Sequence, residues 1–229
     1  MFELKLPTFT TKQASAQPVP AGGPRRIEPV YSVARTPSQR RAATRLVYES
    51  YLRAGLCRSN PWRQRITPYH LLDTTTVFVA SVDGLVVSTV TLIEDGEAGL
   101  PMEAVYPEAV RYHREQGYRV AEVSCLADRR RHMTRFLDSF ISLTRLVAQF
   151  ARHHGVHQLM VVCHPRHARF YRRFMCFETI GGLTECPHVC DRPAVALCLD
   201  FAKVDRERPS GWSDSSEKRS QRVNSSGPS

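Results

Sequence analysis

No run in the 229-residue chain approaches the roughly 18 consecutive apolar residues that a bilayer-spanning helix needs. The opening "MFELKLPTFTTKQ" also lacks the basic-then-apolar pattern of a secretory signal. Cysteine is present but does not form a disulfide framework: seven residues, an odd number, fall at the irregular positions 57, 125, 163, 176, 186, 190 and 198. Cys125, Cys163 and Cys198 sit in apolar runs, where a thiol behaves as a small hydrophobe. A reduced, cytoplasmic protein without a transmembrane segment is expected. Internal repeats are missing, and no glycine occurs between Gly117 and Gly155. Acidic residues are outnumbered, 22 Asp and Glu against 32 Lys and Arg, for a net charge of +10. That balance favours an acidic partner: nucleic acid, an anionic membrane surface, an acidic protein or phosphates.

What is there is enough for one good-sized domain, with a hydrophobic fraction of 42% to build its core. Residues 1–29 include "SAQPVPAGGPRR", and residues 204–229 are mostly Ser and charge. Neither can bury enough apolar surface to offset chain entropy, so both are expected to be disordered tails. The first carries four basic and two acidic residues and the second five and four, so most of the excess charge belongs to residues 30–203.

Elements alternate within that core. "VYSVAR" reads as a strand, and "TPSQRRAATRLVYESYLRAG" as a helix with Thr36 as N-cap, Pro37 in the first turn and Gly55 as a stop. "TVFVASVDGLVVSTVTLIED" reads as two strands joined at Asp83-Gly84, the strongest short hairpin signal. "EAVYPEAVRYHREQG" is expected to be a helix and "YRVAEVSCLA" a strand. Phe136, Phe140, Leu143, Val147 and Phe150 form one helical face of "TRFLDSFISLTRLVAQFARHHG". "VHQLMVVCH" is an apolar strand, "PRHARFYRRFM" a short helix, and "FETIGG" and "AVALCLDF" are two final strands. The order β-α-β-β-α-β-α-β-α-β-β defines an α/β fold, a mixed twisted sheet flanked by helices.

That order resembles the GCN5-related N-acyltransferase (GNAT) fold. The stretch 157–181 resembles the superfamily pattern N..A..LY...GF: His164 stands where the pattern has Asn, Ala168 near its Ala, Tyr171 on its Tyr and Phe177 near its Phe. One extra residue separates Tyr171 from Phe177, and Cys176 replaces the Gly. Within that fold, "YHLLDTTTVFVA", "GLPMEAVYPE", "AEVSCLA" and "HPRHARFYRR" are similar to blocks of the long-chain N-acyl amino acid synthases (FeeM-like), over roughly residues 30–200. This resemblance implies transfer of a fatty acyl group from an acyl carrier protein to an amino-acid amine. It implies no tightly bound cofactor: acyl-phosphopantetheine or acyl-CoA is a co-substrate. A lipid product implies peripheral membrane contact at most. The related acyl-homoserine lactone synthases share a Glu-x-Ser-Arg block, where this chain has Glu122-Val123-Ser124-Cys125.

Aminolysis of a thioester needs a neutral amine, donors to the oxyanion and a proton for the thiolate. Glu122 is the expected general base and Tyr171 the expected proton donor. His164, at the end of an apolar strand, is a further catalytic candidate. Backbone N–H groups of Ser124, Cys125 and Leu126 would bind the thioester oxygen if the strand splays from its neighbour, as in GNAT folds. Glu103 and Arg111, in or near "GLPMEAVYPE", are candidates for shaping the substrate pocket. Most GNAT members carry a Gly-rich loop for the CoA pyrophosphate where this chain has "DRRRHMTR". Arg129, Arg130, Arg131 and Arg135 are expected instead to hold the phosphopantetheine phosphate and an acidic carrier protein.

Cys186-Pro-His188-Val-Cys190 lacks paired Cys-x-x-Cys knuckles and is read as a loop, with no metal. Nucleic acid is not expected as a partner: Arg166, Arg169, Arg172 and Arg173 spread around a short helix, and no recognised binding module appears. Three alternatives stay open: a CoA-dependent N-acetyltransferase, an acyl-homoserine lactone synthase-like enzyme, and a non-catalytic module that kept the fold.

Overall fold

Thr36 starts the first helix by accepting a hydrogen bond from the Gln39 N–H, while the Gln39 side chain accepts from the Thr36 N–H. This reciprocal cap, followed by Pro37, sets helix α1 over Pro37–Arg53. The computed structural model describes residues 28–129 and 133–207. In chain order it holds β1 (Val30–Val33), α1, β2 (Thr75–Val82), β3 (Leu85–Glu94), α2 (Pro107–Glu115), β4 (Val120–Asp128), α3 (Met133–His153), β5 (Gln158–Cys163), α4 (Pro165–Phe174), β6 (Glu178–Cys186), β7 (Arg192–Asp200) and α5 (Phe201–Glu207).

Seven strands form one sheet in the order β1-β2-β3-β4-β5-β7-β6. Among the described strands, β4 and β5 run parallel and every other neighbouring pair is antiparallel. The β2–β3 hairpin turns on Asp83 and Gly84, with φ of +50° and +76°, as a two-residue turn between twisted strands requires. Alternate residues of β2 serve opposite faces. Val77 and Val79 pack with Ala43, Leu46 and Val47 of α1. Phe78 and Ala80 pack with Leu143 and Val147 of α3 on the other face. Phe150 continues the α3 stripe by meeting Phe78 edge-on at 5.3 Å.

Two expectations need correction. The helix expected over 103–117 is broken: Pro101–Ala104 forms a 3-10 turn, and α2 begins only at Pro107. Pro107 cannot donate a backbone hydrogen bond and restricts Tyr106, so the chain turns before the helix can start. The C-terminal tail was expected from 204, yet α5 crosses that boundary. Arg152 pairs with Asp205 at 2.8 Å through two hydrogen bonds and stacks over the Phe201 ring, holding α5 against α3. Residues 1–27 and 208–229 of the expected tails lie outside the described residues.

Candidate active site

The β4–β5 ladder holds only the pairs Val120–Gln158, Ala121–Leu159 and Glu122–Met160. Beyond Glu122, β4 runs on to Asp128 and β5 to Cys163 without pairing, so the middle of the sheet opens into a cleft. A bulge bends β4 at the same place. Thr91 opposes Ser124 and Thr89 opposes Ala127, so β4 has one residue more than β3 over this interval. Cys125, buried and at φ +53°, takes up the difference in a left-handed conformation that disfavours a side chain by about 1–2 kcal/mol.

The cleft is part of a mainly apolar cavity of about 1200 Å³. It reaches both sides of the sheet. Tyr51, Arg65 and Met102 line it on the α1 and α2 side, and Phe140, Phe170 and Tyr171 on the α3 and α4 side. Glu122, Ser124, Cys125, Leu126 and His164 all line this cavity too.

Glu122 is only 4% exposed. Its carboxylate accepts a 2.7 Å hydrogen bond from the Met102 N–H. Burial pushes its pKa up to about 8, against the lowering effect of that bond, and the Glu103 charge adds to the rise. The Tyr171 phenol is likewise pushed well above its ordinary value by burial, so it keeps its proton. Its ring stands edge-on to Phe140 at 6.1 Å and Phe177 at 5.3 Å. His164 caps α4, its Nδ1 accepting from the Arg166 N–H at 3.2 Å. His164 thus caps α4 and also borders the cavity.

Other candidates fall elsewhere. Glu103 does not line the large cavity. It accepts from the Leu100 N–H at 2.7 Å and from Arg114, which also grips Asp95 at 2.6 Å. Arg114 holds the Glu103 carboxyl below its usual range, ahead of the opposing effect of burial. A Cβ on Gly99, itself at φ +66°, would lie 2.5 Å from the Glu103 Oε1, so this bend needs glycine. Arg111 is not a pocket residue: it is exposed on α2 and pairs with Glu108 and Glu115. One helical turn separates it from Arg114, the residue that faces Glu103, and the sequence pattern does not say which arginine turns inward. Arg129 is exposed and lies 3.8 Å from Glu49. Arg130 and Arg131 lie outside the described residues; Arg135 falls in α3, with its side chain outside them.

Sequence reasoning passed over Tyr51, Arg65, Tyr69 and Met102. Arg65 and Tyr69 sit in the irregular run between α1 and β2, where no periodicity marks a side chain as inward. Among the described residues, no three His, Cys, Asp or Glu side chains cluster as a metal ion would need. No helix among them is long and apolar enough to cross a membrane.

A family model for the N-acyl amino acid synthase FeeM matches residues 42–200. The chain belongs to the FeeM family of N-acyl amino acid synthases. As a FeeM-family member it is an acyltransferase. Its fold is similar to that of FeeM from uncultured soil microbes, with TM-score 0.70 and 24% identity over 79% of this chain and 94% of that one. The acyl-homoserine lactone synthase LasI is similar at TM-score 0.57 and 15% identity, covering 75% and 89% of the two chains. Escherichia coli ElaA gives TM-score 0.53 and 10% identity over 75% and 99%. No curated protein sequence matches the chain. The sheet and its flanking helices are therefore a GNAT-type fold, as the element order implied.

Proposed function

We propose that this FeeM-family enzyme moves a medium-to-long acyl group from an acyl carrier protein thioester to the amine of an amino acid. The observation that carries the reading is the parted β4–β5 pair, which opens a large apolar cavity with Glu122 on one side and Tyr171 on the other.

The acyl chain lies in the apolar cavity with its carbonyl at the β4 bulge, where backbone N–H groups of Ser124 to Leu126 receive the oxyanion. The amine nitrogen attacks the carbonyl carbon and forms the C–N bond. Glu122 takes the proton that nitrogen loses; a base at about 8 is matched to an α-amino group of about the same pKa. The C–S bond breaks as the carbonyl re-forms. Tyr171 gives its phenol proton to the departing thiolate and is re-protonated from solvent, while Glu122 releases to solvent the proton it took from nitrogen. His164, at the cavity wall beside α4, supports this end of the site. Amide and thiol are the only products.

A carrier protein is preferred to CoA because the Gly-rich loop that would cradle the CoA pyrophosphate is replaced by "DRRRHMTR", while exposed arginines suit an acidic carrier. Arg166, Arg169, Arg172 and Arg173 of α4 are all exposed. Among the described residues, no carboxylate lies within ion-pair distance of any of them. They do not spread around the helix as expected from the sequence but share one arc, away from Phe170, Tyr171 and Phe174, which face the cavity. They offer a basic face to an acidic carrier and its phosphate. Seven free thiols suit a reducing compartment such as the cytoplasm. CoA-dependent use is the second reading, because the structurally similar synthase MesI is described as CoA-dependent.

The deciding assay gives purified protein acyl carrier protein thioesters and acyl-CoAs of several chain lengths against the twenty amino acids. N-acyl amino acids formed faster from the carrier are expected. Equal or better use of CoA removes the carrier, and no amide product from either donor removes the reading.

A further inference from the structure

Arg65 is a cation without a counter-charge. The run from Asn60 to Arg65 is pinned to α1: the Arg65 N–H donates to the Thr44 carbonyl at 3.1 Å, and the Thr44 hydroxyl donates to the Gln64 Oε1 at 3.0 Å. The Arg65 side chain thus leaves a fixed backbone and enters the cavity wall. Its guanidinium lies over the Tyr51 ring, 4.9 Å from the centroid, and one Nη donates to the His188 carbonyl at 2.6 Å. The Nε–H is buried and meets no acceptor. Among the described residues, no carboxylate is within ion-pair distance.

The neighbours do not neutralise this charge. Burial pushes the Cys125 thiol up, although Arg65 pulls the other way, so the thiol stays protonated. Burial also pushes the Tyr51 phenol far above its ordinary value. The guanidinium is only half-buried, but its buried, idle Nε–H is costly to leave without an acceptor, and an anionic group would supply one. The planar guanidinium suits a carboxylate, which accepts two parallel N–H bonds. The side of the sheet matters as well. Arg65 and Tyr51 face the α1 side of β4, with Glu122 bonded to Met102 nearby, whereas Tyr171 and the α4 arginines lie on the other side. A carboxylate on Arg65 would set an α-amine between Arg65 and the thioester.

We propose that Arg65 receives the α-carboxylate of the acceptor amino acid and so makes the enzyme select amino acids over simple amines. This inference rests on the amino-acid acceptor reading above.

The test compares each accepted amino acid with its decarboxylated amine, in the parent protein and in Arg65→Met and Arg65→Lys. The parent prefers the amino acid. In Arg65→Met that preference, as a ratio of kcat/KM values, falls by about 10- to 100-fold, the worth of a charge-assisted hydrogen bond. The loss appears in the KM for the amino acid and not in the KM for the acyl donor. Arg65→Lys keeps the cation and retains part of the preference, which separates charge loss from misfolding; circular dichroism of both variants should overlay the parent's. An unchanged preference in Arg65→Met overturns the assignment. A raised donor KM with the preference intact moves Arg65 to the donor phosphate and also overturns it. A parent protein that acylates amines but no amino acids refutes the acceptor reading itself, and Arg65 with it.

Discussion

A carboxyl group as buried as that of Glu122 must keep its proton or find a donor. It has one, the Met102 N–H, and burial still outweighs it. The native state therefore holds this proton more tightly than the unfolded chain, whose carboxyl titrates near 4.5. Between those values the folded form binds more protons, so this group makes stability fall as pH rises from about 4.5 to about 8. Glu122→Gln removes that titration. Relative to the parent, its stability should rise from about pH 5 to about pH 8 by on the order of a few kcal/mol, read from urea midpoints. Parallel stability curves would show that burial does not hold the proton. Turnover of the same variant should drop by about 10²-fold or more, with unchanged circular dichroism, if the carboxylate is the base.

At the scale of elements, α4 divides its labour by face. Ala168 packs inward, Phe170, Tyr171 and Phe174 border the cavity, and four arginines point to solvent. Reversing two of them, Arg169→Glu with Arg173→Glu, should raise the KM for carrier-linked donors by about 10-fold or more and leave acyl-CoA donors far less affected. Added salt should weaken use of the carrier by the parent protein in the same way, because exposed charges are screened within about 10 Å at 0.1 M. An equal effect on both donors would place these arginines outside carrier docking. The elements that sequence reading located are those whose signals are local. Asp83-Gly84 makes its own turn, Thr36 and Gln39 make their own cap, and the α3 stripe follows one helical face. The misread ones depend on distant contacts. Helix α5 has a charged sequence and is held through Arg152, 53 residues before its partner Asp205. The break before Pro107 leaves Tyr106 free to cross to Gly182 and Ala194, whose carbonyls its hydroxyl meets at 2.9 and 2.8 Å.

At the scale of the whole molecule, the site is where the sheet stops being a sheet. As residues of the cavity wall, Glu122, Ser124, Cys125 and Leu126 were legible because they share one strand, and Tyr171 and His164 because a proline-started helix follows an apolar run. The place where two strands cease to pair is not written in either strand. It emerges from the bulge at Cys125, a left-handed residue with none of the usual glycine or asparagine marking. Arg65 was illegible for a related reason: its inward direction comes from hydrogen bonds to α1, not from a repeat along its own segment. The cavity that results extends from Arg65 through the parted strands to the space between α3 and α5, with Ala148, Leu159 and Val204 among its walls. A chain threaded along that path would reach the α3–α5 end with its terminal methylenes. Ala148, half-buried on α3, lines this end, so a larger side chain there would take up part of the space. In Ala148→Phe the preferred acyl length should shorten by several carbons, while kcat for the shortest accepted donors holds, because each excluded methylene forfeits about 0.8 kcal/mol of burial. A chain-length profile of the variant that overlays the parent's would mean that the acyl group leaves the cleft by another route.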